Sequence, residues 1–399
     1  MGERTSPRRH RSEEQARRRT PDRTPDKPGA GRRSRMGGFL ALALLVATQG
    51  CADSLPVGAG PISDRDGSPC LIPVDSLFDG GVGRDGIRAL SNPPLVPLGH
   101  PDAAYIQDEA RVVGIRTGDG YVAIPHNILF RHEVVNLDVD GIGLAITYCP
   151  LTGSFVAFSR EEVGGVELGV SGLLFRSNLL VFDRRPNVQE ESIWSQMDGR
   201  AVCGPAAGRR LEFVPAVEMT WEGWRELHPD SRVVSSRTGV GSNYAVHRNE
   251  EYEQLDNPAT LVPIPRLDSR RPPKERVLGI VIGGDGGMAY PFGELSQVPR
   301  RVIHQATARG PVVLLWDSWS QGGGVYLAQV DGATLSFQLM DGAFVDDQTG
   351  SHWSLAGEAK EGPLEGARME LFPESYVAFW FAWAAFHPET VVWRPSLGS

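Results

Sequence analysis

ARVVGIRTGDGYVAIP (110–125) and ERVLGIVIGGDGGMAYP (275–291) decide how this chain is read. Each is an apolar alternating run, a Gly/Asp turn, a second run and a closing proline, which is the pattern of a β-hairpin. The likeness extends outward. LLVFDRRPNVQEESIWSQMDGRAVCGPAAGRRLEF (179–213) matches GAFVDDQTGSHWSLAGEAKEGPLEGARMELF (342–372): an Asp after an apolar strand leads to Trp-Ser, and Gly-Pro leads to a Gly-x-x-[LM]-E strand. Both copies close on the same spacing, Trp224-x-x-x-His228-Pro229 and Trp383-x-x-x-His387-Pro388.

Ordered agreement over so long a period is the mark of an internal repeat. The expected fold is mainly β (α+β), with two similar β-rich units, residues 110–234 and 275–399, arising by duplication and related by a pseudo-twofold axis. Gly and Pro punctuation predicts six to eight short strands per unit, and one or two short helices accompany them. Thr220 is placed to cap a helix over Trp221–Leu227 that ends at Pro229. SYVAFWFAWAAFHP (375–388) is apolar on all faces and predicts a buried helix. A further short helix is expected around His126 to Val134. Residues 235–274 read as a proline-rich, charged strap between the units, and 68–109 as an N-terminal lead-in.

Composition narrows the partners. The 399 residues carry a formal charge of −9, yet the first 35 hold twelve Lys and Arg against five Asp and Glu, so residues 36–399 carry −16. Such a field opposes nucleic-acid binding, which relies on positive surface. Residues 1–35 have almost no large apolar groups and read as a disordered basic tail, or as sequence upstream of a start at Met36. MGGFLALALLVATQG (36–50) is an uncharged apolar run too short to span a bilayer comfortably, as expected of a signal peptide. It runs into Cys51 in a context that resembles a bacterial lipobox. Cys51 is thus the expected lipidation site and 51–67 a flexible tether. The protein is then exported and membrane-anchored through lipid, facing the periplasm or the cell exterior. Of the four cysteines, acylation of Cys51 leaves Cys70, Cys149 and Cys203, so at least one thiol stays unpaired.

DGIRALSNPP (85–94), HEVVN (132–136), TYCPLTG (147–153), GVSGLLFRSNLLVFDR (169–184) and WSQMDGRAVCGP (194–205) together resemble the bacterial and archaeal domain of unknown function 3179, over residues from about 68 to the C-terminus. The resemblance implies export or membrane attachment and no established activity. The family pattern has Cys-Pro-x-Cys-Gly where this chain has Cys149-Pro150-Leu151-Thr152-Gly153, so a paired thiol site is not available at that turn.

Three function classes follow. The first is a small-molecule- or protein-binding module of the cell envelope, with Arg176, Asn178, Asp183, Arg184 and Trp194 lining a polar cleft. The second is a metal- or thiol-dependent enzyme centred on Cys149 with His132 and His126, for which copper or zinc suits a thiolate with imidazole; the bland reading of the same residues is a packed thiol and hydrogen-bonded histidines. The third is a structural scaffold. No catalytic residue is assigned, since G-x-S-x-G, H-E-x-x-H and Walker motifs are absent from the sequence.

Overall fold

The computed structural model describes residues 69–395 except 119, 247–250, 261, 263, 265, 284 and 285. The basic tail, signal peptide, tether and Cys51 lie outside the described residues. None of the helices described is long and apolar enough to cross a membrane.

The chain is mainly β, with four short α-helices among the described residues: α1 (His126–His132), α2 (Trp221–Leu227), α3 (Phe292–Leu295) and α4 (Trp380–Phe386). Hairpin 111–125 forms the centre of a five-stranded sheet ordered Ala216–Thr220, Arg111–Thr117, Gly120–Pro125, Arg232–Val234, Leu95–Pro97. Hairpin 276–291 centres a four-stranded sheet ordered Ser375–Phe379, Arg276–Gly283, Gly286–Pro291, Val391–Val392. In both, the strand beyond the hairpin runs parallel to its neighbour, 232–234 beside 120–125 and 391–392 beside 286–291. That strand is reached through a helix, which a parallel connection requires.

The glycine in each hairpin exists for that helix. A Cβ on Gly114 would lie 1.8 Å from the Trp224 ring, and one on Gly279 would lie 2.1 Å from the Trp383 ring. Each indole is pinned by its N–H, Trp224 Nε1 donating to Ser231 Oγ (2.9 Å) and Trp383 Nε1 to Thr390 Oγ1 (2.8 Å). The Thr220 side chain accepts from Gly223 N and caps α2 where the sequence predicts it.

Three-stranded meanders follow, 134–159 and 300–327, and then a five-stranded and a four-stranded sheet that contain the two Asp–Trp pairs. Asp183 Oδ1 accepts from Ser192 N (2.6 Å) and Trp194 Nε1 (3.1 Å), while Asp346 Oδ2 accepts from Ser351 N (3.1 Å) and Trp353 Nε1 (3.0 Å). The halves meet reciprocally. Phe379 N donates to Thr152 O (2.8 Å) and Thr220 N to Ser320 O (2.9 Å), each a helix-capping residue bonded to the meander turn of the other half. The largest apolar cluster mixes Val112, Ile124 and Tyr148 with Leu278, Trp316 and Val377, so the halves share one core.

Two expectations change. Residues 375–388 divide into a strand, 375–379, and α4, because the first five residues pair with 276–280 and a continuous apolar run satisfies a strand buried on both faces as well as a buried helix. The strands are also more numerous than six to eight: twelve are described within 110–234 and thirteen within 275–399. Most of the excess are two- and three-residue strands at turns, too short to leave an alternating pattern.

Among the described residues 235–274 contains no strand, and it is held down by side-chain-to-backbone bonds. Asn127 Nδ2 donates to Tyr244 O (2.8 Å), Tyr252 Oη to Leu151 O (2.7 Å), Ser177 Oγ to Val262 O (2.8 Å) and Trp380 Nε1 to Asp268 O (3.0 Å). The strap thereby crosses the CPLTG turn and both halves.

Candidate functional site

Cys149 is the last residue of strand Ile142–Cys149 and is 1 % exposed. Its sulfur faces Ser177 O at 3.8 Å. Burial, and then the Glu133 carboxyl, push the thiol up to about 11, so it stays protonated at neutral pH. Thr152 is equally buried and belongs to a closed amide–hydroxyl network. Asn178 Nδ2 donates to Thr152 Oγ1 (2.9 Å), Ser154 Oγ (3.1 Å) and Gln196 Oε1 (2.7 Å), and Ser154 Oγ to Gln196 Oε1 (2.8 Å). In the 300–327 meander Asp317 stands at the hairpin position that Cys149 has in the 134–159 meander, since Cys149 pairs with Ser154 and Asp317 with Gly322.

The expected metal set is not brought together. His132 Nδ1 donates to Arg88 O (2.7 Å), and a carbonyl only accepts, so in the neutral ring Nε2 accepts from Tyr244 Oη (2.7 Å). Burial lowers its basicity, which agrees with that neutral form. Neither nitrogen is left for a metal. His126 lies elsewhere, its ring tilted against Tyr148 with centroids 4.5 Å apart. Among the described residues no three or more His, Cys, Asp or Glu are grouped to hold an ion, and these residues do not fit copper or zinc.

Nor do the five expected ligand residues line one cleft. Asn178 belongs to the network above. Asp183 and Trp194 form the buried Asp–Trp pair, and Asp183 Oδ2 also accepts from Arg185 Nε (2.7 Å). Arg184 makes a bidentate pair with Asp85 (2.7 and 2.8 Å). Arg176 Nη1 donates to Ala385 O (2.6 Å) and lines an open groove with Arg266 and Arg270.

A different constellation gathers where the halves and the strap converge. Glu218, in strand Ala216–Thr220, has no exposed side-chain surface. Its Oε1 accepts from Arg111 Nε and from Arg276 Nη1 (3.2 Å), the arginines that open the two hairpins quoted above. Arg276 Nη2 donates in turn to the strap's Glu253 Oε2 (3.1 Å). Burial raises the Glu218 carboxyl, but Arg111, His126 and Arg276 outweigh it and hold it below its ordinary range. Glu218 Oε2 is buried without a hydrogen bond, 3.7 Å from His126 Nε2, which is also unbonded. Burial drives His126 down to about 4, so this ring is neutral.

Arg111 Nη1 and Lys274 Nζ are likewise buried with no hydrogen-bond partner, and the Tyr148 hydroxyl faces the Arg276 guanidinium without closing a full hydrogen bond. Lys274 Nζ sits 3.1 Å over the Tyr252 ring; burial lowers the amine to about 7, with Glu253 opposing. Three cationic side chains and two carboxylates are linked here, and several of the buried polar atoms they bring have no hydrogen-bond partner among the described residues. Buried polar atoms left unpaired cost free energy, so such a concentration marks a site built for an occupant.

Of this group the sequence reading named only His126. Glu218 was the available signal, a lone charge inside the apolar run VPAVEMTW, together with Arg111 and Arg276 at matching positions of the two hairpins.

Residues 84–390 match the family model described as "Protein of unknown function (DUF3179)". The chain belongs to that family. No curated protein and no solved structure matches it significantly. In this DUF3179 member the match spans Arg111, His126, Glu218 and Arg276, as well as the Cys149–Thr152 turn.

Proposed function

We propose that this protein is an exported lipoprotein of the bacterial cell envelope, anchored through acylated Cys51, and that it binds a small anionic ligand at the junction of two duplicated units. The observation that carries the binding reading is the set of buried atoms with no hydrogen-bond partner, Arg111 Nη1, His126 Nε2, Glu218 Oε2 and Lys274 Nζ, drawn from both halves and the strap. With Arg111, Arg276 and Lys274 against Glu218 and Glu253, the formal local charge is one positive in excess. An acceptor-rich group such as a carboxylate or phosphate supplies what the donors among them, Arg111 Nη1 and Lys274 Nζ, lack.

Export draws support from the Cys70–Cys203 disulfide, which closes 133 residues of chain and belongs to oxidising compartments. Duplication draws support from the matched sheets, the two Gly–Trp contacts, the two Asp–Trp pairs and the reciprocal backbone bonds. The thiol or metal reading draws none, because Cys149 and His132 are engaged separately.

Binding is tested by thermal shift of the purified protein against phosphate and small carboxylates, beside Lys274→Met. Stabilisation of the parent that falls as pH rises through about 7, where free Lys274 loses its proton, is expected, with the pH dependence lost in the variant. No stabilisation by any anion would sink the binding reading. Labelling with a radioactive fatty acid, present in the parent and lost in Cys51→Ser, tests the anchor.

A further inference from the structure

A cleft of about 280 Å³ lies between the halves on the far side of strand Ala216–Thr220 from Glu218, lined by Tyr121, Val217, His228, Tyr326, Glu358 and Leu371, among others. Its meaning comes from the matching place in the other half. Val217 pairs with Gly114 as Tyr376 pairs with Gly279, and those two glycines carry Trp224 and Trp383. His228 N donates to Trp224 O and His387 N to Trp383 O, both at 2.8 Å, so the two histidines also correspond.

In the second half this place is full. The phenol of Tyr376 is 2 % exposed, stands edge-on to Trp383 with centroids 5.1 Å apart, lies parallel to Phe213, and bonds His387 Nε2 through its hydroxyl at 2.8 Å. In the first half Val217 replaces the tyrosine. Strand Phe213–Val214 pairs Phe213 with Phe158, and the matching bridge joins Leu371 to Tyr326, both of which line the cleft. His228 keeps its position, 7 % exposed and stacked on Tyr121 at 3.8 Å, yet its ring nitrogens bond none of the described residues. The cleft is therefore the place of Tyr376 narrowed from one side, where Tyr121, at the position of Gly287, packs its ring on Trp224 and His228 and turns its hydroxyl to Glu358.

We propose that this cleft binds a phenol, an aromatic ring whose hydroxyl bonds His228 as the Tyr376 hydroxyl bonds His387. At about 280 Å³ the space is just below the usual range of small-ligand pockets, ~300–1,000 Å³, and suits one ring rather than a fused system. The ring supplies apolar area against Val217 and Leu371. The hydroxyl supplies specificity, because a buried polar group left unpaired penalises an analogue that lacks it.

The test is titration of the purified full chain in detergent with p-cresol and with toluene, by ligand-observed NMR and calorimetry. Val217→Tyr restores the tyrosine and also controls for partition into micelles. Saturable one-to-one binding of p-cresol at least tenfold tighter than toluene, weakened tenfold or more in Val217→Tyr, is the expected result. His228→Leu gives a reading independent of that variant: the p-cresol preference collapses towards one. Absence of saturable binding, equal affinity for toluene, or undiminished binding by folded Val217→Tyr would overturn the proposal. N-acetyltyrosinamide distinguishes the source: binding as tight as p-cresol assigns a tyrosine borne on a peptide, and exclusion assigns a free small phenol. Neither arm uses the Glu218 cluster, so this proposal and the anion site stand or fall separately.

Discussion

Replacing Glu218 by Gln removes one negative charge from the junction without changing its shape. Among the described residues Glu218 is the only carboxylate that pairs with Arg111, which otherwise donates there only to Gln321 O at 3.0 Å. Arg276 keeps Glu253 at 3.1 Å. The variant therefore strands one buried guanidinium rather than two. Breaking a buried pair from one side costs about 3–5 kcal/mol, and the remaining carbonyl contact places this case near the lower end, about 3 kcal/mol. For a domain of this size that is a fall in Tm of roughly 6 °C. Thermal unfolding followed by circular dichroism reads it directly. The double variant Glu218→Met with Arg111→Met removes both charges and should recover most of the loss, to within about 1 kcal/mol of the parent. The pH dependence has a definite sign. The Glu218 carboxyl is held below its ordinary value of 4.5 in the folded state, so its stabilisation is complete above that value and is lost as pH falls through the lowered one. The gap between parent and Glu218→Gln should stay constant from pH 8 to pH 6 and shrink in acid. A gap below about 1 kcal/mol at pH 7, or one that widens in acid, would refute this account of the cluster.

Three further outcomes are expected. Gly279→Ala drives a Cβ to within 2.1 Å of the Trp383 ring, an overpacking that should cost about 3 kcal/mol and lower Tm, whereas Gly99→Ala, with open space around it and no left-handed backbone, should cost far less. Cys149, whose thiol is pushed up to about 11, should stay unreactive to a disulfide reagent at pH 8 in the folded protein and react promptly in denaturant; prompt reaction without denaturant would contradict its burial. The Glu133 carboxyl is raised by burial to about 7 from 4.5, so the stability that its neutral form contributes is full below 4.5 and is lost as pH rises through about 7. Glu133→Gln should therefore gain about 1–2 kcal/mol over the parent at pH 8, after discounting for partial exposure, and almost nothing at pH 4.5, measured by denaturant titration.

By itself the sequence determined what is local or recurs at fixed spacing. Turn residues and alternation around 110–125 and 275–291 specify hairpins, Thr220 specifies the start of α2, and the recurrence of Trp194 with Trp353, and of Trp224 with Trp383, marks equivalent core positions. A mainly-β chain was legible from these residues, and the DUF3179 family from the motifs at 85–94, 132–136, 147–153, 169–184 and 194–205.

The site was not legible, because its parts are brought together only by folding. Glu218 meets Arg111 and Arg276 across 107 and 58 residues of chain, and no spacing rule encodes that meeting. His132 looked like a ligand until the packed structure set Arg88 O and Tyr244 Oη on its two nitrogens. Whether 375–379 is helix or strand was likewise decided by its partner, strand Arg276–Gly283, since an all-apolar segment has no period of its own. The contrast between Val217 and Tyr376 is written plainly in the sequence. Only the three-dimensional register puts the two at one equivalent place, and shows one filled by the Tyr376 phenol and the other holding a cleft beside His228, whose ring nitrogens bond none of the described residues.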